Sequence, residues 1–220
     1  PFKGLPVYFG VTGEYASLLR ETHHGNTGTD TGLRRLDVSP AVRVPFRKWA
    51  FFTVNTSIGW RYTRWEESLD PLTGLQVPAA VDRSYVDLQT RIVGPVFNRI
   101  WNTPDNGYAE KFKHTIEPWV NVQRVTAFDE SLPIVRLDSA DHVVGGTTRI
   151  TFGVNNRLYA KRKTGPDAGR SREILNVTAR QTYYTKAAAS TVDSSYSTSF
   201  GSAEAQKMSA VSLPARLSPS

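Results

Sequence analysis

The chain has 220 residues, 39% hydrophobic and 11% aromatic, with 27 Lys and Arg against 20 Asp and Glu, a formal charge of +7. That length suits one ordinary domain or one large β domain, and the composition is not that of a disordered chain. Cys is absent, which excludes a disulfide scaffold, a zinc ribbon, a dithiol redox site and a cysteine nucleophile within this sequence.

Val outnumbers Leu, a lean toward β structure. The chain opens on Pro1 with no leader pattern, so it reads as an internal piece of something longer. Its longest apolar run is Trp49, Ala50, Phe51, Phe52. A membrane helix needs about 20 such residues, so the choices are a soluble fold or a membrane β-barrel.

Period 2 dominates the chain from its beginning. Val7, Phe9, Val11, Tyr15 and Leu19 oppose Thr12, Glu14 and Arg20. A His, Gly, Thr and Asn loop is expected over 21–32. Over 35–46, Leu36, Val38, Val42, Val44 and Phe46 share one face, and Arg35, Asp37, Ser39, Ala41 and Arg43 the other. A tight turn over 45–48 leads to Phe52, Val54, Ile58, Trp60 and Tyr62, which oppose Thr53, Asn55, Ser57, Gly59 and Arg61.

A long connection over 65–83 follows. Val86, Leu88 and Ile92 then oppose Asp87, Gln89 and Arg91; an intermediate connection spans 98–112. Ile116, Pro118, Val120 and Val122 oppose Glu117, Asn121 and Gln123, with Trp119 on the polar side. Beyond a long connection over 125–147, Ile150, Phe152, Val154 and Leu158 oppose Thr151, Asn155 and Arg157. Residues 162–172 are intermediate, with a turn over 165–171. Leu175, Val177, Ala179 and Tyr183 then oppose Asn176, Thr178 and Arg180. A Ser, Thr and Ala stretch over 186–206 precedes the last strand, in which Val211, Leu213, Ala215 and Leu217 oppose Ser212 and Arg216.

These are about eight strands, mostly near the 9–11 residues a tilted membrane strand needs and longer than the usual soluble strand. Long and shorter connections alternate, as in outer-membrane barrels. The expected fold is all-β, an antiparallel transmembrane β-barrel of which this chain is a part. Trp49, Trp60, Tyr62, Trp65, Tyr159, Tyr183 and Tyr184 lie near strand ends, where interfacial girdles form.

Chemistry is sparse. His23 and His24 are adjacent in an extended chain and His114 and His142 are isolated, which does not suit a metal site. No phosphate loop, nucleophile elbow or carboxylate couple is present, so no catalysis and no cofactor are expected. The polar face is more informative. Arg35, Arg43, Arg61, Arg91, Arg157 and Arg180 come from five stretches and fall on one wall. Guanidinium groups fork onto phosphate oxygens, so the wall suits an anionic amphiphile bearing phosphates and sugars. The same arginines could instead pair with Asp37, Asp87 and Glu117. Nucleic acid is disfavoured, because the charge is spread and not gathered in a patch.

The stretches KFKHTIEPWVNVQRV (111–125) and ITFGVNNRLYAKR (150–162) resemble the barrel of the LPS-assembly protein family, LptD (OstA/Imp). REILNVTARQTYYT, RLDVSPAVRVPF, YFGVTGEYASLLRET and the closing VSLPARLSPS fit that resemblance in order. It implies that residues 1–220 are a partial barrel without the family's periplasmic jellyroll domain. It further implies a place in the cell outer membrane and insertion of lipopolysaccharide into the outer leaflet. The implied partners are lipopolysaccharide, an LptE-like plug lipoprotein, the periplasmic Lpt bridge and outer-membrane lipid. A general porin for small solutes and a soluble β protein binding an acidic polysaccharide are the alternatives.

Overall fold

A computed structural model describes residues 6–24, 27–136, 141–163, 169–193 and 204–218. Eleven strands and one short helix follow in chain order. They are β1 (Tyr8–His24), β2 (Thr27–Phe46), β3 (Thr53–Trp65), β4 (Ser68–Leu69), β5 (Gln76–Val77), β6 (Val81–Val93), β7 (Phe97–Asn102), β8 (Ala109–Val125), β9 (Thr147–Arg162), β10 (Ser171–Tyr184), α1 (Ala188–Thr191) and β11 (Ala215–Leu217). The main sheet has the order β1-β2-β3-β6-β8-β9-β10-β11, with β7 also on β8, and every pairing is antiparallel. The strands along this path follow one another in chain order, an up-and-down meander, while β4 and β5 form a separate two-stranded sheet. Among the described residues β1 pairs only with β2 and β11 only with β10, so the sheet is open.

The faces follow the pleat. Cα partners share a face, and Phe9, Val42, Ile58 and Leu88 are partners in succession. So are Val54, Ile92, Val120 and Phe152. This is the outer face, and it is not covered: Phe9 is 80% exposed, Val11 75% and Ile58 52%. The opposite, inner face carries Arg35, Asp37, Thr63 and Arg83, all buried. The usual distribution of a water-soluble domain is thus reversed.

The apolar band runs obliquely across the sheet. The row Phe9, Val42, Ile58, Leu88 continues into Arg124 and then Thr148, which are polar. Strands inclined to the band produce this drift, as strands of a barrel are inclined to its axis.

Three differences from the sequence expectations have physical causes. β1 and β2 occupy 21–24 and 27–32 as strand, pairing as far as His24↔Thr27, because the ladder continues to satisfy the backbone there. The stretch 98–112 is not one connection. Its first part, β7, continues β6 along β8 after an irregularity: Val93 faces Trp119 and Phe97 faces Ile116, one residue more on this side than on β8. The extra residue flips the alternation, so Phe97 and Trp101 join the outer face where unbroken period 2 would put Ile100. Gly94, at φ +106°, permits the corner; a Cβ there would run into the Phe51 carbonyl oxygen. Finally, the tight turn lies over 47–52, with strand continuing to Phe46. Of the expected turn over 165–171, residues 165–168 lie outside the described residues, as do 194–203 of the expected connection over 186–206, whose described part holds α1.

The expected girdle divides. Trp49 packs with Phe46, Phe51 and Phe52 at centroid distances of 5.1, 6.0 and 4.6 Å around the β2–β3 turn. Trp60 stacks with Tyr62 at 6.0 Å on the outer face near the other end of β3. Tyr183, partner of Ile150, is also outward. Trp65 and Tyr184 are instead inward and buried, and Tyr159 shares the inner face with Lys113. Their odd or even position along the strand outweighs their nearness to its end.

Gly153 lies on the inner face opposite Trp119 and Arg180. A Cβ there would stand 2.6 Å from the Ala179 carbonyl oxygen and 2.9 Å from the Trp119 ring. Gly153→Ala is expected to destabilise the sheet by about 1–3 kcal/mol through overpacking. The midpoint temperature of thermal unfolding followed by far-UV circular dichroism measures this. Trp119→Phe should relieve only part of the loss, since the backbone contact persists.

Candidate functional site

The inner face is the chemically distinctive surface. Its connections set its two ends. The β3–β6, β8–β9 and β10–β11 connections are long and lie at one end. The β2–β3, β7–β8 and β9–β10 connections are shorter and lie at the other.

At the long-loop end the β8–β9 connection folds onto the inner face. Its Ile134 packs with Leu33 and Trp65, joined by Val81, Leu132 and Val135. Asp141, 2% exposed, accepts two bonds from the Arg35 guanidinium at 3.0 and 3.1 Å. Arg35 also bonds Glu14 at 2.9 Å. Arg83 donates to the Asp141 carbonyl oxygen at 2.9 Å, with its guanidinium 5.0 Å from the Trp65 ring and 5.4 Å from Phe128. A second clasp lies beside it. Asp193, just after α1, accepts from Arg149 at 2.8 Å and from the Tyr184 hydroxyl at 2.7 Å. Paired charges in these numbers satisfy one another where water is excluded. Two loop carboxylates away from the wall, Asp70 and Asp129, are held below the ordinary carboxylate range. The Thr73 N–H and hydroxyl do this for Asp70, and the Ser131 hydroxyl and N–H for Asp129.

All six arginines singled out from the sequence lie on the inner face, in two sets. Arg35, Arg61 and Arg157 are engaged with carboxylates. Arg61 bonds Asp37 at 2.8 Å, and Thr63 completes that carboxylate at 2.7 Å. Arg157 lies between Glu117 at 4.0 Å and Glu173 at 3.9 Å. Arg43, Arg91 and Arg180 are exposed and have no carboxylate within ion-pair distance among the described residues. Arg43 donates to Asn55 at 2.9 Å, Asn55 is the cross-strand partner of Arg91, and the Arg91 guanidinium lies 4.8 Å from the Trp119 ring centre. Trp119 faces Gly153, whose other partner is Arg180. These residues form a basic band across six strands. The pairing expected for Asp87 is different: it accepts from Gln123 and Gln89, each at 2.9 Å, and from no arginine.

Sequence reasoning missed Arg83, Arg149, Asp141 and Asp193. Extending the alternation two residues back from Tyr85 and from Thr151 places Arg83 and Arg149 on the polar face, so that signal was present. Asp141 and Asp193 are in loops, where no period marks them.

Among the described residues no group of His, Asp and Glu is arranged to hold a metal ion, and no helix is long and apolar enough to cross a membrane. The chain matches no family model and no curated protein.

Proposed function

We propose that this chain is a section of the wall of an outer-membrane β-barrel that inserts lipopolysaccharide into the outer leaflet. The observation that carries the membrane part is the reversed sheet, with an oblique apolar band exposed on one face and ion-paired arginines buried on the other. In hydrocarbon the band is satisfied and the backbone is satisfied by neighbouring strands. The open edges then belong against further strands of the same barrel. The cargo part rests on the resemblance to the LPS-assembly family and on the basic band of Arg43, Arg91 and Arg180. An amphiphile moving along this wall would keep its sugar–phosphate head on the inner face and its acyl chains toward lipid, and no bond is broken. The plug lipoprotein and periplasmic bridge enter this reading as partners of the whole barrel.

Photocrosslinking in the full-length protein tests the proposal. A probe at Asn121, the inner-face partner of Arg91, is expected to trap lipopolysaccharide. A probe at Ile58 on the outer face is expected to trap phospholipid. Lipopolysaccharide absent from Asn121, with small solutes passing freely through reconstituted barrels, would favour a general porin. Recovery of the protein in the aqueous fraction without detergent would favour a soluble β protein.

A further inference from the structure

We infer that the short-turn end of the inner wall is a capture site for the phosphate groups of an anionic glycolipid head. This rests on the transport reading above and adds where the cargo is first held and by which residues.

Five cations share the inner face there: Lys111, Lys113, Arg157, Lys161 and Arg216. Their placement follows from register. Lys111 faces Asn102 on β7 and Lys161 on β9; Lys113 faces Tyr159; Arg157 faces Asn176, which faces Arg216 on β11. Lys111 and Lys161 are thus like charges directly opposite one another, an arrangement that weakens a sheet. The carboxylates nearby neutralise only part of the set. Glu110 takes Lys161 at 2.5 Å, and Glu117 and Glu173 flank Arg157. Lys111, Lys113 and Arg216 are exposed and have no carboxylate within ion-pair distance among the described residues.

The rest of the wall gives this mouth a direction. At the long-loop end Arg35, Arg61 and Arg149 are each tied to a carboxylate, and Arg83 to the Asp141 carbonyl oxygen. In the middle, Arg43, Arg91 and Arg180 are exposed. Uncompensated positive charge is therefore gathered toward the short-turn end. An anion gains most there first, and then finds the arginine band further along. The ligand class follows from the donors. Lysines are mobile point charges that accommodate phosphates of differing geometry. The neighbouring amides of Asn98 and Asn102 supply the uncharged donors and acceptors that sugar hydroxyls use.

The test uses the full-length protein in its membrane, with one photocrosslinking probe at Asn102 and another at Asn121. In the otherwise unaltered protein, lipopolysaccharide adducts are expected at both. Lys111→Glu with Lys113→Glu should reduce the Asn102 adduct about tenfold and the Asn121 adduct in parallel. Lys111→Arg with Lys113→Arg should preserve both, which separates charge from a folding defect. Lipopolysaccharide stripped of its phosphates should give the same loss without any substitution. If both adducts persist in the glutamate variant, the capture site is overturned while transport along the wall stands. If no lipopolysaccharide adduct forms at either position, the transport reading fails and this one with it. A protein adduct at Asn102 in place of lipopolysaccharide would assign the mouth to a partner protein and overturn capture.

Discussion

If the outer face meets lipid as proposed, Ile58→Arg is expected to cost about 2–4 kcal/mol of stability, the penalty for an arginine near the bilayer midplane. Ile58 is 52% exposed and stands at the middle of the outer apolar stretch of β3, between Val42 and Leu88. In water the same substitution would sit on an open surface and change stability by a few tenths of a kcal/mol either way. The size of the effect therefore reports the solvent on that face. Gln89→Arg is the matched control. It places the same charge on the inner face next to Asp87, and it should be tolerated. Denaturant unfolding of the full-length barrel in bilayers compares the two. Equal, small effects at both positions would mean that the outer face meets water.

The second large effect is expected from Arg35→Met. The Arg35–Asp141 pair joins β2 to the β8–β9 connection, with both side chains almost wholly buried. Removing one partner of a buried pair costs about 3–5 kcal/mol, because the remaining charge loses its compensation in a place with little water. Here Asp141 would lose the Arg35 Nη1 that bonds both of its oxygens, and Glu14 would lose Nη2. The loop should then become open to protease over 126–136, while the strands below stay paired. Replacing both partners, Arg35→Met with Asp141→Leu, should recover most of the loss, since an apolar pair of similar volume needs no compensation. Protease resistance unchanged in the single variant would show that the Leu33, Trp65 and Ile134 cluster holds the loop by itself.

The two clasps have a common consequence for the wall. Each is made by a strand arginine and a loop carboxylate: Arg35 with Asp141, and Arg149 with Asp193. The long-loop end is thus covered by chain folded inward and is electrically balanced. Among the described residues the short-turn end carries Lys111, Lys113 and Arg216 with no carboxylate within ion-pair distance.

The alternation of Leu36, Val38, Val42 and Val44 with Arg35, Asp37 and Arg43 was legible without coordinates. So was that of Val54, Ile58 and Trp60 with Asn55, Ser57 and Arg61. Period 2 is a property of the extended backbone, and every residue in an unbroken strand inherits its face from it. That is why all six arginines share one face in the folded chain. The antiparallel pairing of strands joined by shorter connections, such as β2 with β3, was legible too, since a short connection leaves few other pairings. What the tertiary structure decided lies where local pattern carries no information. One extra residue at Gly94 to Val96 turns Phe97 and Trp101 outward, and only the pairing of β7 with β8 reveals it. Trp65 and Tyr184 face inward although they stand at strand ends, because parity places them under the loops. Asp37 and Glu117 stand on the polar faces of strands, but the partners of Arg35 and Arg149 are Asp141 and Asp193. These come from loops far away in sequence, Asp141 lying 106 residues from Arg35. A charge's partner is chosen by the folded path of distant chain, and no period along the strand records that choice.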